Sequence, residues 1–254
     1  GTVKDFASVS AGERDWLVYL PGVSWDAVPG TDRRLAEGLA GHVDVTWLDP
    51  PTSVMRDRPS RFPARWADVS SPTPGITRVR SFGPPGVTRR GSREVAHGVQ
   101  HLAFRSAHPP TGERGPLAVV LSDPDRRFPS WLPGTRILYM TDDWRSGARL
   151  MGLPPGRVES TLLANLADAD LALAVSPTLA DGLRRRQSGL EVGVLPNGCM
   201  PPEWFADTVT AVEPTSGFRP SAVAGLVGQL NERLDLGLLE AVTAAGVPVR
   251  VLGP

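Results

Sequence analysis

Acidic, amide and glycine residues fall repeatedly just behind short apolar runs in this chain. WLVYL (16–20) leads to Gly22, Trp25 and Asp26, and LAVVLS (117–122) leads to Asp123 and Asp125. RILYM (136–140) is followed by Thr141, Asp142, Asp143 and Trp144. LALAVS (171–176) ends in Ser176, and VGVLPNG (192–198) ends in Asn197 and Gly198. Carboxylates in such places can exchange protons with a substrate hydroxyl, and glycines let a ligand or another backbone come close. The plain reading stands beside the chemical one, since Asp, Asn and Gly also favour turns for local reasons.

Other spacings suggest other chemistry. Asp123-Pro124-Asp125 puts two hard oxygen ligands on one loop, which could hold Mg²⁺ or Mn²⁺ between diphosphate oxygens. Asp168-Ala169-Asp170 has the same form at a helix end. His97 and His101 are four residues apart and share a helix face, but no third ligand sits near them in sequence. A G-x-S-x-G elbow is missing, so a hydrolase triad has no support.

The elements that must position these residues alternate between strand and helix. Helical patterns cover 31–40, capped by Thr31 or Asp32, then 92–107, 156–170 and 177–186, the last with Pro177 at its start. VDVTWL (43–48) is a further strand, stopped by Asp49, Pro50 and Pro51. ITRVRSF (76–82) alternates and reads as an edge or half-buried strand. The continuous apolar runs are of the buried-parallel type, and the alternation implies an α/β fold with a doubly wound, mostly parallel sheet. In such a sheet ligands bind outside the carboxyl ends of the strands, where the residues named above fall.

The chain has 254 residues, with 27 basic and 27 acidic side chains and 41% apolar residues. Balanced charge argues against a polyanion-binding surface, so nucleic acid is not an expected partner. The single cysteine, Cys199, rules out an intrachain disulfide. With no apolar run long enough to span a bilayer, the expectation is a cytoplasmic protein. Residues 1–200 read as one Rossmann-like domain and the proline-rich stretch 201–220 as a connector. Residues 221–254 read as the opening strand-helix-strand of a second domain expected to continue past Pro254. One such unit is too small to bury a core of its own.

The segment AGLVGQLNERLDLGLLEAV in that second part has a more specific meaning. Gly225 and Gly228 permit close approach, the following helix offers free N–H groups, and Arg233 could add a charge-assisted bond to a diphosphate. Arg233 could equally pair with Glu232 or Asp235 on a solvated helix. There is no GxGxxG here, so an NAD-type fingerprint is missing.

Taken with ILYMTDDW, LLANLADADLALAVSPTLADGL and VGVLPNGCMPPEWF, this segment resembles the GT-B glycosyltransferases of the group 1/family 4 type. The bacterial cell-surface polysaccharide and teichuronic-acid-like transferases are the nearest in pattern, over about residues 136–254. The resemblance implies two Rossmann-like domains with a cleft between them, an acceptor-side first domain and a nucleotide-sugar-binding second one. It implies transfer of a sugar from a nucleotide-diphosphate donor to a hydroxyl acceptor in polysaccharide, glycolipid or glycoside biosynthesis. No cofactor or metal is implied, because diphosphate charge is neutralised by arginine and helix N-termini, and the family favours retention at the anomeric carbon.

Carried over by position, Asp142 and Asp143 are the catalytic candidates. Gly22, Trp25, Asp26, Asp123, Trp144, Ser176 and Asn197 line the acceptor side, and Gly228, Asn231 and Arg233 bind the donor diphosphate. Gln229 stands where many relatives have Arg, and Cys199-Met200 replace the usual Val-Asp after Asn-Gly. Arg184, Arg185 and Arg186 suit a helix C-terminus and could also touch anionic lipid at the inner face of a membrane. Two other readings are a non-catalytic Rossmann-like binding module and a metal-dependent GT-A transferase using Asp123 and Asp125.

Overall fold

The computed structural model describes residues 14–53, 66–85, 91–108, 115–198, 223–228 and 234–253. The chain divides into two compact units, Gly1–Cys199 and Met200–Pro254.

In the first unit, seven parallel strands carry the sheet. They are β1 (Trp16–Pro21), β2 (Asp44–Leu48), β5 (Ile76–Gly83), β6 (Ala118–Ser122), β7 (Thr135–Met140), β8 (Leu171–Ala174) and β9 (Glu191–Val194). Their spatial order is β5-β2-β1-β6-β7-β8-β9. Short β3 (Thr52–Ser53) pairs parallel with β5, and β4 (Ala67–Thr73) pairs antiparallel with it. The helices are α1 (Thr31–Leu39), α2 (Ser92–Ala107), α3 (Trp144–Gly147), α4 (Pro155–Asp168) and α5 (Pro177–Arg186). Numbering the parallel strands in chain order gives 3-2-1-4-5-6-7, the Rossmann-like arrangement, with the order reversing between β1 and β6.

The sheet is covered on both faces because its central strands are apolar on both. Val18 and Leu20 of β1 join Leu121, Leu138 and residues of α2, α4 and α5 in one core. Leu17 and Tyr19 join Trp47, Val120, Tyr139 and Ala36 of α1 in the other. Successive side chains of β1 thus feed opposite cores, as strand pleating requires.

β5 differs from its sequence reading as an edge or half-buried strand. It pairs in parallel with β2 and β3 and antiparallel with β4, with Ile76, Arg78 and Val79 buried. The Pro74-Gly75 turn makes the hairpin that places β4 there. Gly75 has φ +76°, and an ideal Cβ at that position would lie 2.6 Å from the Ala40 carbonyl oxygen, so a side chain is excluded twice over.

The second unit, over its described residues, has β10 (Ala224–Val227), α6 (Leu236–Ala244) and β11 (Val249–Leu252), with β10 and β11 parallel. Asp235 caps α6 by accepting from the Leu238 N–H at 3.0 Å. No residue of α6 is buried, in keeping with the small burial one strand-helix-strand unit achieves.

Candidate functional site

The strand order places the topological switch point between β1 and β6, and several polar groups meet there. Gly22, just past β1, lies against the loop after β6. An ideal Cβ on it would meet Pro124 Cδ at 3.3 Å, Ser122 O at 3.4 Å and Asp123 Cα at 3.5 Å. A side chain here would press on Pro124 by a few tenths of an ångström, so glycine suits the close passage of the chain leaving β1 beside the chain leaving β6.

Beneath that contact, Asp32 from the first turn of α1 turns its carboxylate onto the sheet. Tyr19 Oη donates to Asp32 Oδ1 at 2.9 Å, and Ser122 Oγ donates to the same oxygen at 2.6 Å. The structure thus gives Asp32 a role other than capping. Gly30 is the N-cap residue, and the Asp32 side chain is 9% exposed. Burial pushes its carboxyl above the ordinary value, against the two hydroxyl hydrogen bonds that favour the charged form. Burial and the adjacent Asp32 charge push the Tyr19 phenol up as well.

Asp123 is the chemically most adaptable group at the switch point. Burial drives its carboxyl up to about 6, opposed by the Asp125 N–H it accepts at 2.8 Å and by the charge of Arg126. A carboxyl that exchanges its proton near 6 can serve as base or acid toward a hydroxyl at near-neutral pH. The same shift has a stability consequence. The folded value lies above the ordinary carboxylate value of about 3.9, so the favourable protonated state is lost as pH rises from about 4 to about 6. Over that window the wild type should lose about 1–2 kcal/mol relative to Asp123→Asn, allowing for partial solvent screening. Urea melts of both proteins at pH 4 and pH 7 measure this, and parallel pH dependences would remove the raised value.

The remaining acceptor-side residues have structural tasks. Trp25 is 5% exposed, edge-on to Trp47 at 5.1 Å and under the Arg33 guanidinium at 4.5 Å, so its indole is core rather than cleft lining. Asp26 is gripped by Arg78, whose Nη1 and Nη2 donate to it at 2.9 and 2.7 Å. Arg78 also donates from Nε and Nη2 to Asp49 at 2.9 and 2.6 Å. Asp49 further accepts from the Trp25 N–H at 2.9 Å and Trp47 Nε1 at 2.7 Å. Through Asp49, Arg78 ties the carboxyl end of β2 to β5 and to the loop after β1. The hydrogen bonds and charge of Arg78 hold the Asp26 carboxyl below its ordinary value.

Of the two catalytic candidates, Asp143 caps α3. Its carboxylate accepts from the Ser146 N–H at 3.2 Å and from Ser146 Oγ at 2.7 Å. Partial burial raises its carboxyl, yet the Ser146 and Arg145 donors and the Arg186 charge together hold it below its ordinary value. Asp142 is exposed and accepts from the Asp143 N–H at 2.8 Å. Trp144 is 3% exposed and packs in the core. Ser176 caps α5 through the Leu179 N–H at 3.3 Å, and Asn197 is exposed beyond β9.

Asp125 pairs with Arg157, whose Nη2 donates to it at 2.6 Å, so the second carboxylate of the Asp-x-Asp sequence is already engaged. Among the described residues no three His, Cys, Asp or Glu side chains cluster as metal ligands. His101 stacks on Trp131 at 4.3 Å. Arg184 bonds Asp181 and the Val192 carbonyl, and Arg186 bonds the Gly182 carbonyl, so two of the three helix-end arginines hold their own unit together. No helix among the described residues is long and apolar enough to cross a membrane.

In the second unit the close approach at Gly228 comes from this chain's own backbone. An ideal Cβ on Gly253 would fall 1.8 Å from the Gly228 carbonyl oxygen. Asn231 and Arg233 lie outside the described residues, as do Gln229, Cys199, Met200 and the proline-rich stretch 201–220.

Sequence reasoning gave Asp32 only as a helix cap and Asp49 only as a strand stop, and passed over Tyr19, Ser122 and Arg78 as site residues. Asp49 carried a usable signal, because it follows an apolar run directly, as the other strand-end residues do. Arg78 carried a weaker one as a charge between Ile76 and Val79.

No protein-family model matches this sequence, and comparison with curated proteins finds no match. Among solved structures, the chain is similar to a sucrose-phosphate synthase from Thermosynechococcus elongatus. That similarity has 18% identity and a TM-score of 0.42, covering 76% of this chain and 93% of the other. The Rossmann-like description of the first unit stands on its strand order.

Proposed function

We propose that the protein is a GT-B-type glycosyltransferase that moves a sugar from a nucleotide-diphosphate donor to a hydroxyl acceptor. What supports this best is the switch point, where Gly22 lets the chain leaving β1 lie beside the loop after β6 and its Asp123, whose carboxyl burial pushes up to about 6. The sequence pattern over 136–254 supports the same reading. In the reaction, the anomeric C–O bond to the diphosphate breaks and a bond to the acceptor oxygen forms. The acceptor proton passes to a carboxylate, and the nucleoside diphosphate leaves with the electron pair.

Asp123 suits the acceptor side better than Asp143, whose carboxylate is spent on a helix cap and holds its proton less tightly. The first unit takes the acceptor, and the second takes the donor through Gly228, Asn231 and Arg233. Positive charge and helix N–H groups there would stabilise the departing diphosphate. The protein works at a polysaccharide, glycolipid or glycoside product, in the cytoplasm or at the inner face of a membrane.

The test is release of nucleoside diphosphate from a panel of nucleotide sugars, with and without hydroxyl acceptors. One donor should be consumed, and Arg233→Ala should weaken its use by about 1.5–3 kcal/mol, the scale of a hydrogen bond to a charged group. Donor kinetics unchanged in that variant would reject the diphosphate assignment. A panel that is nowhere turned over would reject the transferase.

A further inference from the structure

A cavity of about 590 Å³ lies in the first unit, within the usual range for small-molecule sites. Its walls are the first half of α2, the loop after β6 and the first half of α4. None of its lining residues belongs to the Tyr19–Asp32–Ser122 cluster.

Three arginines and two carboxylates line this cavity, so its charge is net positive. Of its two carboxylates, Asp125 is bound by Arg157, while Glu94 accepts the Gly91 N–H at the start of α2 and keeps its charge. Arg126 and Arg127 remain. Arg127 makes a long, exposed ion pair with Asp168 at 3.7 Å, its own side chain being 64% exposed.

Arg126 is 5% exposed and rigidly held. Its Nη2 donates to Gln100 Oε1 at 2.6 Å, and its carbonyl accepts from Asn165 Nδ2 at 2.8 Å. Gln100 is itself fixed by donating to the Asp49 carbonyl at 2.7 Å. Among the described residues, Arg126 makes no ion pair within 4.0 Å, and its buried Nη1 has no hydrogen-bond partner. Burial pulls the guanidinium down to about 10 despite the nearby Asp123 charge. Buried charges in proteins are paired, and a buried donor without a partner calls for a ligand or ion to answer it. Beside the two arginines stands Trp131, half-buried and backed on one face by His101.

We propose that this cavity binds a small oxyanion-bearing molecule. Its phosphate or carboxylate oxygens lie against Arg126 and Arg127, and its uncharged body lies against Trp131. The guanidinium fork matches both kinds of oxyanion. This assignment is independent of the transferase reading, because it uses neither the switch-point carboxyls nor the second unit.

Calorimetric titration of the full chain with inorganic phosphate, a hexose phosphate and succinate tests it and tells phosphate from carboxylate. At least one should bind with a Kd below about 1 mM. Arg127→Gln, at an exposed position that tolerates change, should weaken that binding at least 5-fold. Arg126→Gln should weaken it at least 20-fold, with thermal melts reporting whether the variant is folded. Arg34→Gln, in α1 and outside the lining of the cavity, should leave it unchanged. Absence of binding for all three probes, or affinity unaltered in Arg127→Gln, would overturn the site.

Discussion

Replacing Arg78 by Met should lower the stability of the first unit by about 3–5 kcal/mol, the usual cost of removing one partner of a buried ion pair. The Arg78 and Asp49 side chains are 7% and 3% exposed, so the Asp49 carboxylate would stay buried with its charge uncompensated. Asp49 also holds the Trp25 N–H and the Trp47 indole N–H, so the loss would reach the loop after β1. At roughly 2–4 °C per kcal/mol for a unit of this size, the melting temperature should fall by about 6–20 °C. Arg80→Ala is the control. Its side chain is 36% exposed and its pairs with Asp26 and Asp68 are 3.5 and 3.4 Å long, so a change within about 1 kcal/mol is expected. Equal melting temperatures for Arg78→Met and the wild type would show that the network contributes nothing.

Asp32→Ala should cost about 2–4 kcal/mol, because it leaves the buried Tyr19 and Ser122 hydroxyls without the oxygen both donate to. Asp32→Asn separates hydrogen bonding from charge. The amide oxygen can accept both hydroxyls, and the neutral side chain escapes the burial that raises the Asp32 carboxyl. The sign follows from that direction. A carboxyl raised in the folded state favours folding when protonated and opposes it once pH has risen through the folded value. Asp32→Asn should therefore match the wild type in acid and equal or exceed its stability at pH 8. Denaturant melts at the two pH values measure both effects. If Asp32→Asn proved as damaging as Asp32→Ala at pH 8, the charge itself would be what holds the site together.

How far the sequence revealed the fold depends on where each strand sits. β1 and β6 are flanked on both sides and buried on both faces, so they read as continuous apolar runs. β4, with sequence ADVSSPT, is largely exposed and among the described residues pairs with β5 alone, so no apolar pattern marks it. β5 alternates because Arg78 and Arg80 interrupt it, which suggested a solvated face. Arg78 instead enters the interior, since Asp26 and Asp49 wait there, and neither partner is visible from the local pattern.

The site was legible in position but less so in role. Strand-end residues do gather at the carboxyl edge of the sheet, yet Asp26, Asp143 and Ser176 are occupied with an ion pair and two helix caps. Asp32 lay hidden because a carboxylate in a first helical turn reads as a favourable dipole interaction whether it points to solvent or inward. Trp25 and Trp144 could have been placed on a surface or in a core by their residue type alone, and packing decided for the core.

Hydrogen exchange with and without the nucleotide sugar that the donor panel selects tests the transferase reading most directly. Docking of the diphosphate on the segment after β10 should slow exchange of the amides from 228 to 238, and Arg233→Ala should abolish that protection. Protection confined to the walls of the Arg126 cavity, with exchange at 228–238 unchanged by any nucleotide sugar, would contradict it.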